Sequence, residues 1–548
     1  MYQKRSVVAV AALLLVAAPL PLAAQRTMGL MYHDSTRSYQ GYTLFAPMAY
    51  TMVYLIDNQG RLVHSWDASR IPDLSVYLLE DGSLLHTTGP DSAGLHIRDW
   101  DDNVTWSFDC QGDSFHSNHD AEVLPNGNIL LLVSEVKSAA TARAAGRDTA
   151  ELREILSSNY IIEVDTSNNE IVWEWHAWDH LIQDFDSTKQ NHGVVGEHPE
   201  LIDINYGKPV ILDPDPSNFI HANSVDYNAE LDQVITSSLL YSEVWVIDHS
   251  TTTEQARGHT GGRYGRGGDL LYRWGNPAAY RRGDSLSHWM FWQHDAQWIS
   301  DSLSGAGQLL AFSNGGVERQ WSQILQWVPP TDSPGFYHLG PDSAYGPREP
   351  TWSYRDTVDF YSFYISGCQR LPNGNTLICE GAWGTLFEVT PDSEVVWMYI
   401  SPVSHKGPLH QGEPMRLNQN PVFRCYRYSP DYPAFEGRNL TPGDPIELPP
   451  VGVAEPGPAG VPAGIRLCAA PSTVRRRAKV ALSLPGPTDV ELAVYDSRGG
   501  RVAALVRGFL PAGEHRLDWD ASAAAAGVYF CRLHAGESTS SVKLLKLD

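Results

Sequence analysis

Apolar and polar residues alternate over short runs through most of the chain, and Gly, Pro, Asn or Asp interrupts each run. YLLEDGSLLHT (77–87) shows the unit: a strand, a Gly-containing turn and a second strand. The unit returns as AEVLPNGNILLLVSE (121–135), SVDYNAELDQVITSS (224–238), AQWISDSLSGAGQLLAFSN (296–314) and QRLPNGNTLICEG (369–381). A period of two predicts strands with one buried face, and the turn residues predict hairpins. The stretch Ala139–Leu156 differs, since its composition favours a short surface helix.

A second hairpin follows most of these units and ends in aromatics. Its copies are VYLIDNQGRLVHSW (53–66), LHIRDWDDNVTWSF (95–108), IIEVDTSNNEIVWEW (161–175), VWVID (244–248) with LLYRW (270–274), ILQW (324–327) with PTWSY (350–354), and LFEVTPDSEVVWMY (386–399). The closing aromatics are Trp66, Phe108, Trp175, Trp274, Tyr354 and Tyr399. Two hairpins make a four-stranded unit. Repeated four-stranded units predict an all-β chain folded as a β-propeller, and six closures predict six blades. The strand around Gly41–Phe45 is expected to complete the ring. Segments 179–219, 250–266 and 328–349 read as loops rich in Gly, Pro and Asp, the usual place for substrate contacts on a rigid scaffold.

The ends of the chain are different. Lys4 and Arg5, the apolar run Val7–Leu22, then Ala23 and Ala24 follow the order of a secretory signal peptide, with cleavage expected near Ala24–Gln25. The alternative is a single membrane anchor. Residues 25–440 hold the propeller, and the Pro/Gly-rich stretch 441–465 reads as a linker. Residues 466–548 alternate as expected of a small Ig-like β-sandwich. The pieces VYD–GG–V, PAGEHRLDWD, GVYF and the basic–apolar last strand resemble the C-terminal sorting domains of the bacterial type IX secretion system. That resemblance implies a contact with secretion machinery. A surface-attachment or adhesion module is the alternative.

Charge narrows the function. The 548 residues carry 40 Lys+Arg and 64 Asp+Glu, a net charge of −24, which argues against a nucleic-acid partner. Export permits disulfides among the six cysteines. Cys468 and Cys531 share the C-terminal module and could pair, while Cys110, Cys368, Cys379 and Cys425 allow three pairings. There is no CxxC or Cys/His zinc spacing.

The candidate chemistry lies in one repeat position. His119 begins HDAEVLPNGN, His221 begins HANSVDYN and His294 begins HDAQWI, each four residues before an apolar or aromatic strand member (Val123, Val225, Trp298). The same slot holds Ser366 in SGCQRLPNGN and about Leu74 in the second repeat. Equivalent positions on the inner strands of a propeller meet at one channel mouth, so the three imidazoles are expected to converge. They could bind a metal, act as nucleophile and acid–base groups, or line a wet channel. Asp120 and Asp295 point away from these rings and are expected to support the loops. His64, His86 and His176 lie outside the register and read as structural. His405 and His410 could cover the channel. Cys368 near the mouth is a small core or disulfide residue, with a thiol nucleophile as the rival reading.

The segments HDAEVLPNGNILLL, FIHANSVDYN, QHDAQW, LLAFSNG, SGCQRLPNGNTLI and VFRCYRYSPDYP resemble the bacterial arylsulfate sulfotransferase family, from about residue 40 to about residue 435. The resemblance implies a six-bladed propeller that moves a sulfuryl group from a phenolic sulfate ester to a phenolic acceptor, through a sulfated histidine and without a nucleotide cofactor or metal. Carried over by motif, the nucleophile falls on His294 and the assisting histidines on His119 and His221, with Asn223 and Gln293 beside them as candidate substrate contacts. The family arginine is expected in a stretch like SSR after the His221 motif, and this chain has Ser237–Ser238–Leu239. Leucine cannot neutralise sulfuryl oxygens as a guanidinium does. Arg319 and Arg370 are the candidate replacements. The rival functions are a non-catalytic propeller that holds an anionic or aromatic ligand and a histidine metal site. The expected location is outside the cytoplasm: secreted, at the cell surface or periplasmic.

Overall fold

A computed structural model describes residues 27–450 and 465–546, except 49, 69–71, 89–93, 111–114, 149, 151–153, 208–216, 284, 317, 341–343, 471–472, 475, 497–499, 512 and 537. The expected leader 1–24 and most of the linker lie outside the described residues. The chain divides into two units, one within Arg26–Pro450 and one within Val451–Asp548. Among the described residues, no helix is long and apolar enough to cross a membrane.

The first unit contains six antiparallel sheets of four or five strands. Each opens with one edge strand, and these six are Pro72–Leu78, Phe115–Val123, Ala222–Asn228, His294–Trp298, Gly367–Arg370 and Val422–Tyr428. Each of these strands contacts the next in chain order, and Val422–Tyr428 returns to Pro72–Leu78, so they close a ring. Closure is made by the two ends of the unit. Val422–Tyr428 pairs with the N-terminal strand Tyr42–Pro47, joining Phe45 to Cys425, which is the role expected of Gly41–Phe45. Gly29–His33 adds a fifth strand beside Val395–Ile400. Pairing distant chain ends removes open edges from the ring.

The closing aromatics pack as their pattern predicts. Trp66, Phe108, Trp175, Trp274, Tyr354 and Tyr399 are all buried. The indole N–H of Trp66 donates to the Asp99 carbonyl, that of Trp175 to Gly268 and that of Trp274 to Pro347. Each ring therefore fills apolar space while its one donor is satisfied on a neighbouring segment. The helix expected within Ala139–Leu156 is short, Ala139–Ala144, with the Ser138 side chain accepting from the Thr141 N–H. The unit runs past the expected boundary at 440. Gly443 N–H donates to the Leu62 carbonyl, and Leu448 N–H to the Leu409 carbonyl.

The second unit is a two-sheet sandwich. One sheet has three strands (Arg466–Ala470, Arg477–Leu484, Gly513–Asp520) and the other has five. Val480, Leu482 and Trp519 from the first sheet meet Leu492, Val494, Leu533 and Leu544 from the second in one buried cluster. A Cys468–Cys531 bridge is not formed. Cys531 is a free, buried thiol within that core, and Cys468 belongs to a strand of the opposite sheet. Cys110, Cys368, Cys379 and Cys425 are likewise buried free thiols, so none of the three pairings is formed.

Candidate active site

The ring brings the starts of the inner strands together, and local backbone geometry turns the histidines. His119 and His221 have φ of +62° and +53°; Ser366, at the matching place, has +94°, and Asp295, one residue past His294, has +56°. Pairing slips beside each histidine, between Leu131 and Val133, between Ala222 and Val225, and between His294 and Gln297. An extra residue in a strand re-aims the side chain next to it. A left-handed conformation at a non-glycine residue costs of order 1–3 kcal/mol. The repetition of both devices on consecutive strands marks the rim as a built site.

The rings meet there. The His119 and His221 centroids are 5.1 Å apart, and Phe423 of the closing strand stands 6.1 Å from His119 and 6.4 Å from His294. His294 is 2 % exposed. Burial, with His221 and Arg424 adding to it, pushes its pKa down to about 3. Burial and the neighbouring histidines also hold His119 well below its ordinary value. Both imidazoles are thus neutral near pH 7.

The tautomer of His294 follows from its neighbours. The Asn314 amide nitrogen donates to the carbonyls of Ser362 and Ile365, both at 2.8 Å. Its Oδ1 therefore faces His294 Nδ1 at 2.8 Å as an acceptor, and the Trp292 carbonyl lies 3.1 Å from the same nitrogen. Two acceptors require a proton on Nδ1, which leaves the lone pair on Nε2. A neutral imidazole with one fixed, unprotonated nitrogen is a nucleophile.

An arginine that the repeat register does not show stands behind the rings. Arg424 Nη1 donates to Asp120 Oδ2 at 2.7 Å, Nε lies 3.3 Å from Asp295 Oδ1, and Nη2 donates to the Asn223 carbonyl at 2.8 Å. The guanidinium lies over Phe423, 4.8 Å from the ring centroid. Asp120 also accepts from the Tyr77 hydroxyl and the Val225 N–H, and Asp295 from the Cys368 N–H. Each aspartate thus ties its strand to a neighbour, and the one cation joins alternate strands of the ring. VFRCYRY carries Phe423 and Arg424 in the sequence. The closing strand has no histidine, so the alignment on histidines passes over it.

The other expected contacts fall in different places. Asn223 and Gln293 are fully buried. Gln293 Nε2 donates to Ser237 Oγ, the Ser238 carbonyl and the Glu243 carbonyl, while Asn223 Nδ2 donates to the Gln293 carbonyl at 2.8 Å. They join the His221 and His294 loops to each other. Arg319 lies over Phe291 and Trp321 and donates to Ser313 Oγ at 3.0 Å; burial lowers its pKa to about 10. Arg370 is at the other end of its strand from Ser366, held by the Gly374 carbonyl and Gln326. The structure therefore does not bring Arg370 to the histidines. Leu239 is buried against Leu240 and Trp292, so an apolar cluster fills the place of the expected arginine. Burial holds the Cys368 thiol well above its ordinary pKa, which disfavours a thiolate nucleophile. His64 stacks on Trp100, and His410 Nδ1 lies 2.6 Å from the Pro449 carbonyl. Away from the rim, His180, His259 and Asp269 form a group whose ligand atoms all lie within 4.8 Å of one another.

The fold and site define an all-β protein with a ring of inner strands and a histidine-lined rim. The family model described as Arylsulfotransferase (ASST) matches residues 32–404, and the chain belongs to that family. No match is found among curated proteins. Similar solved structures include a protein of unknown function from Bacteroides caccae, at 12 % identity over 71 % of this chain and 99 % of that chain, with a TM-score of 0.38. Another is virginiamycin B lyase from Staphylococcus aureus, at 8 % identity over 69 % of this chain and 89 % of that chain, with a TM-score of 0.31.

Proposed function

We propose that this protein is a six-bladed propeller that moves a sulfuryl group from a phenolic sulfate ester to a phenol through His294. The observation that carries this reading is the Asn314 contact, which leaves His294 Nε2 as a neutral nucleophile beside His221 and Arg424. In the first half-reaction Nε2 attacks sulfur, the N–S bond forms and the S–O bond to the phenol breaks. The phenoxide leaves with the S–O electron pair, held by a hydrogen bond to His119 or His221, and takes its proton from solvent. In the second half-reaction the acceptor oxygen attacks sulfur, the N–S bond breaks with its electron pair returning to Nε2, and the acceptor's proton passes by way of His119 or His221 to solvent. Arg424 supplies positive potential, reduced by the two aspartates that share it. The Leu239–Leu240–Trp292 cluster offers an apolar wall for the aromatic ring. Asn223 and Gln293 are positioning residues.

The same cluster favours a second reading, a propeller that binds an anionic aromatic ligand without turnover. Incubating the protein with an aryl sulfate and a phenol separates the two. Transfer by the wild type, lost in H294A, together with a sulfuryl mass increment on the peptide that holds His294, supports the enzyme. Equal transfer by both proteins rejects it, and binding without transfer supports the second reading. The charged and apolar order of residues 1–24 supports export, and the motifs of 466–548 support a sorting or attachment role for the Ig-like sandwich. Fractionation of cells that express the full chain, with and without 466–548, tests both.

A further inference from the structure

The strongest group of metal-ligating side chains outside the rim is His180, His259 and Asp269. His180 ends the short turn Ala177–His180, which follows the outer strand Glu170–His176. His259 and Asp269 belong to the chain between Glu243–Asp248 and Tyr272–Trp274. That chain contains Gly258, Gly261, Gly262, Gly265, Gly267 and Gly268. Glycine loses more conformational freedom on folding than any other residue, so such a segment needs strong local restraint to be ordered.

The restraint centres on His180, which is fully buried. Trp175 stacks in parallel on its ring, and a Cβ at Gly268 would stand 2.6 Å from Nε2. The loop therefore packs directly onto the imidazole, and only glycine fits there. His180 Nε2 lies 2.8 Å from the Ala256 carbonyl, and Nδ1 lies 2.8 Å from Asp269 Oδ1. The carbonyl at Nε2 turns the ring so that Nδ1 faces the carboxylate oxygen. His259 Nδ1 lies 2.7 Å from that same oxygen. Two imidazole nitrogens and a carboxylate thus converge, and a backbone carbonyl orients the buried ring as the outer partner of a metal-bound histidine does.

We propose that His180 Nδ1, His259 Nδ1 and Asp269 bind one divalent zinc ion, with water as the fourth ligand. Two imidazoles and one carboxylate suit zinc, whereas calcium and magnesium take oxygen ligands. Ligand atoms around tetrahedral zinc stand slightly farther apart than hydrogen-bonded atoms, and His259, with its side chain 60 % exposed, has room to move outward. The ion pins the glycine-rich segment to the outer strand. This site is structural and independent of the rim histidines.

The test uses the purified full chain, stripped with chelator and titrated with ZnCl2 by calorimetry, with CaCl2 as control. One zinc bound by the wild type and by H221A, but not by H259A, supports the site. His259 is on the surface, so H259A leaves the core intact. Trypsin cleavage after Arg257, Arg263 or Arg266 is expected to slow with zinc in the wild type and not in H259A. Absence of zinc binding in the wild type, zinc retained by H259A, or zinc lost in H221A would overturn the proposal.

Discussion

Asn314 Oδ1 lies 2.8 Å from His294 Nδ1, and the Asn314 amide nitrogen is committed to two backbone carbonyls. One side chain twenty residues along the chain thereby decides which nitrogen of His294 keeps its lone pair. An Asn314→Leu variant removes that acceptor. Loss of an orienting partner of this kind typically costs about 10–100-fold. The expected result is a fall of that size in kcat for aryl sulfate transfer, with KM little changed, measured by release of the donor phenol.

Leu239→Arg returns a guanidinium to the position where the family pattern expects one. A transition-state donor in such a site is worth about 10²–10³ in rate. The variant is expected to raise kcat at some loss of Tm, since Leu239 is buried against Leu240 and Trp292. An unchanged kcat in a folded variant would show that Arg424 already supplies what the reaction needs.

Arg424→Met leaves Asp120 and Asp295 buried without their shared cation. Breaking a buried pair by removing one partner costs about 3–5 kcal/mol. Urea denaturation is the measurement, and a loss under 1 kcal/mol would contradict the clamp.

Three buried histidines of the first unit resist protonation in the folded state. Burial lowers the pKa of His294 to about 3 and those of His86 and His288 to about 4, from 6.5. At these three sites, between those values and 6.5, the unfolded chain binds more protons than the folded one. Their contribution to stability therefore rises with pH through that window and is lost as pH falls from 6.5 toward 4. The Tm of the wild type is expected to fall relative to that of H86Q as pH drops from 6.5 toward 4.

His249 has the opposite sign. Burial opposes its protonation, but hydrogen bonds to Asp232 and Glu163 outweigh burial and raise its pKa to about 9. Its contribution is fully present below 6.5 and is lost as pH rises through 9. The Tm difference between wild type and H249Q should shrink between pH 7 and pH 10.

The strands, their turns, the aromatic closures and the three histidines were legible in the sequence. Each depends on neighbours within one hairpin, and the two-residue period reports which side is buried. His119, His221 and His294 could be aligned because repeats place equal residues at equal heights. Tertiary structure alone decided the rest. The left-handed residues and pairing slips at the rim store strain that only the closed ring supports. Arg424 is hundreds of residues from Asp120 in the chain and reaches it only because the last inner strand closes beside the first. The cysteines were misleading for the same reason. Cys468 and Cys531 share one module and could pair, but which sheet each strand joins is settled by burial of the whole sandwich, and no local pattern records that choice.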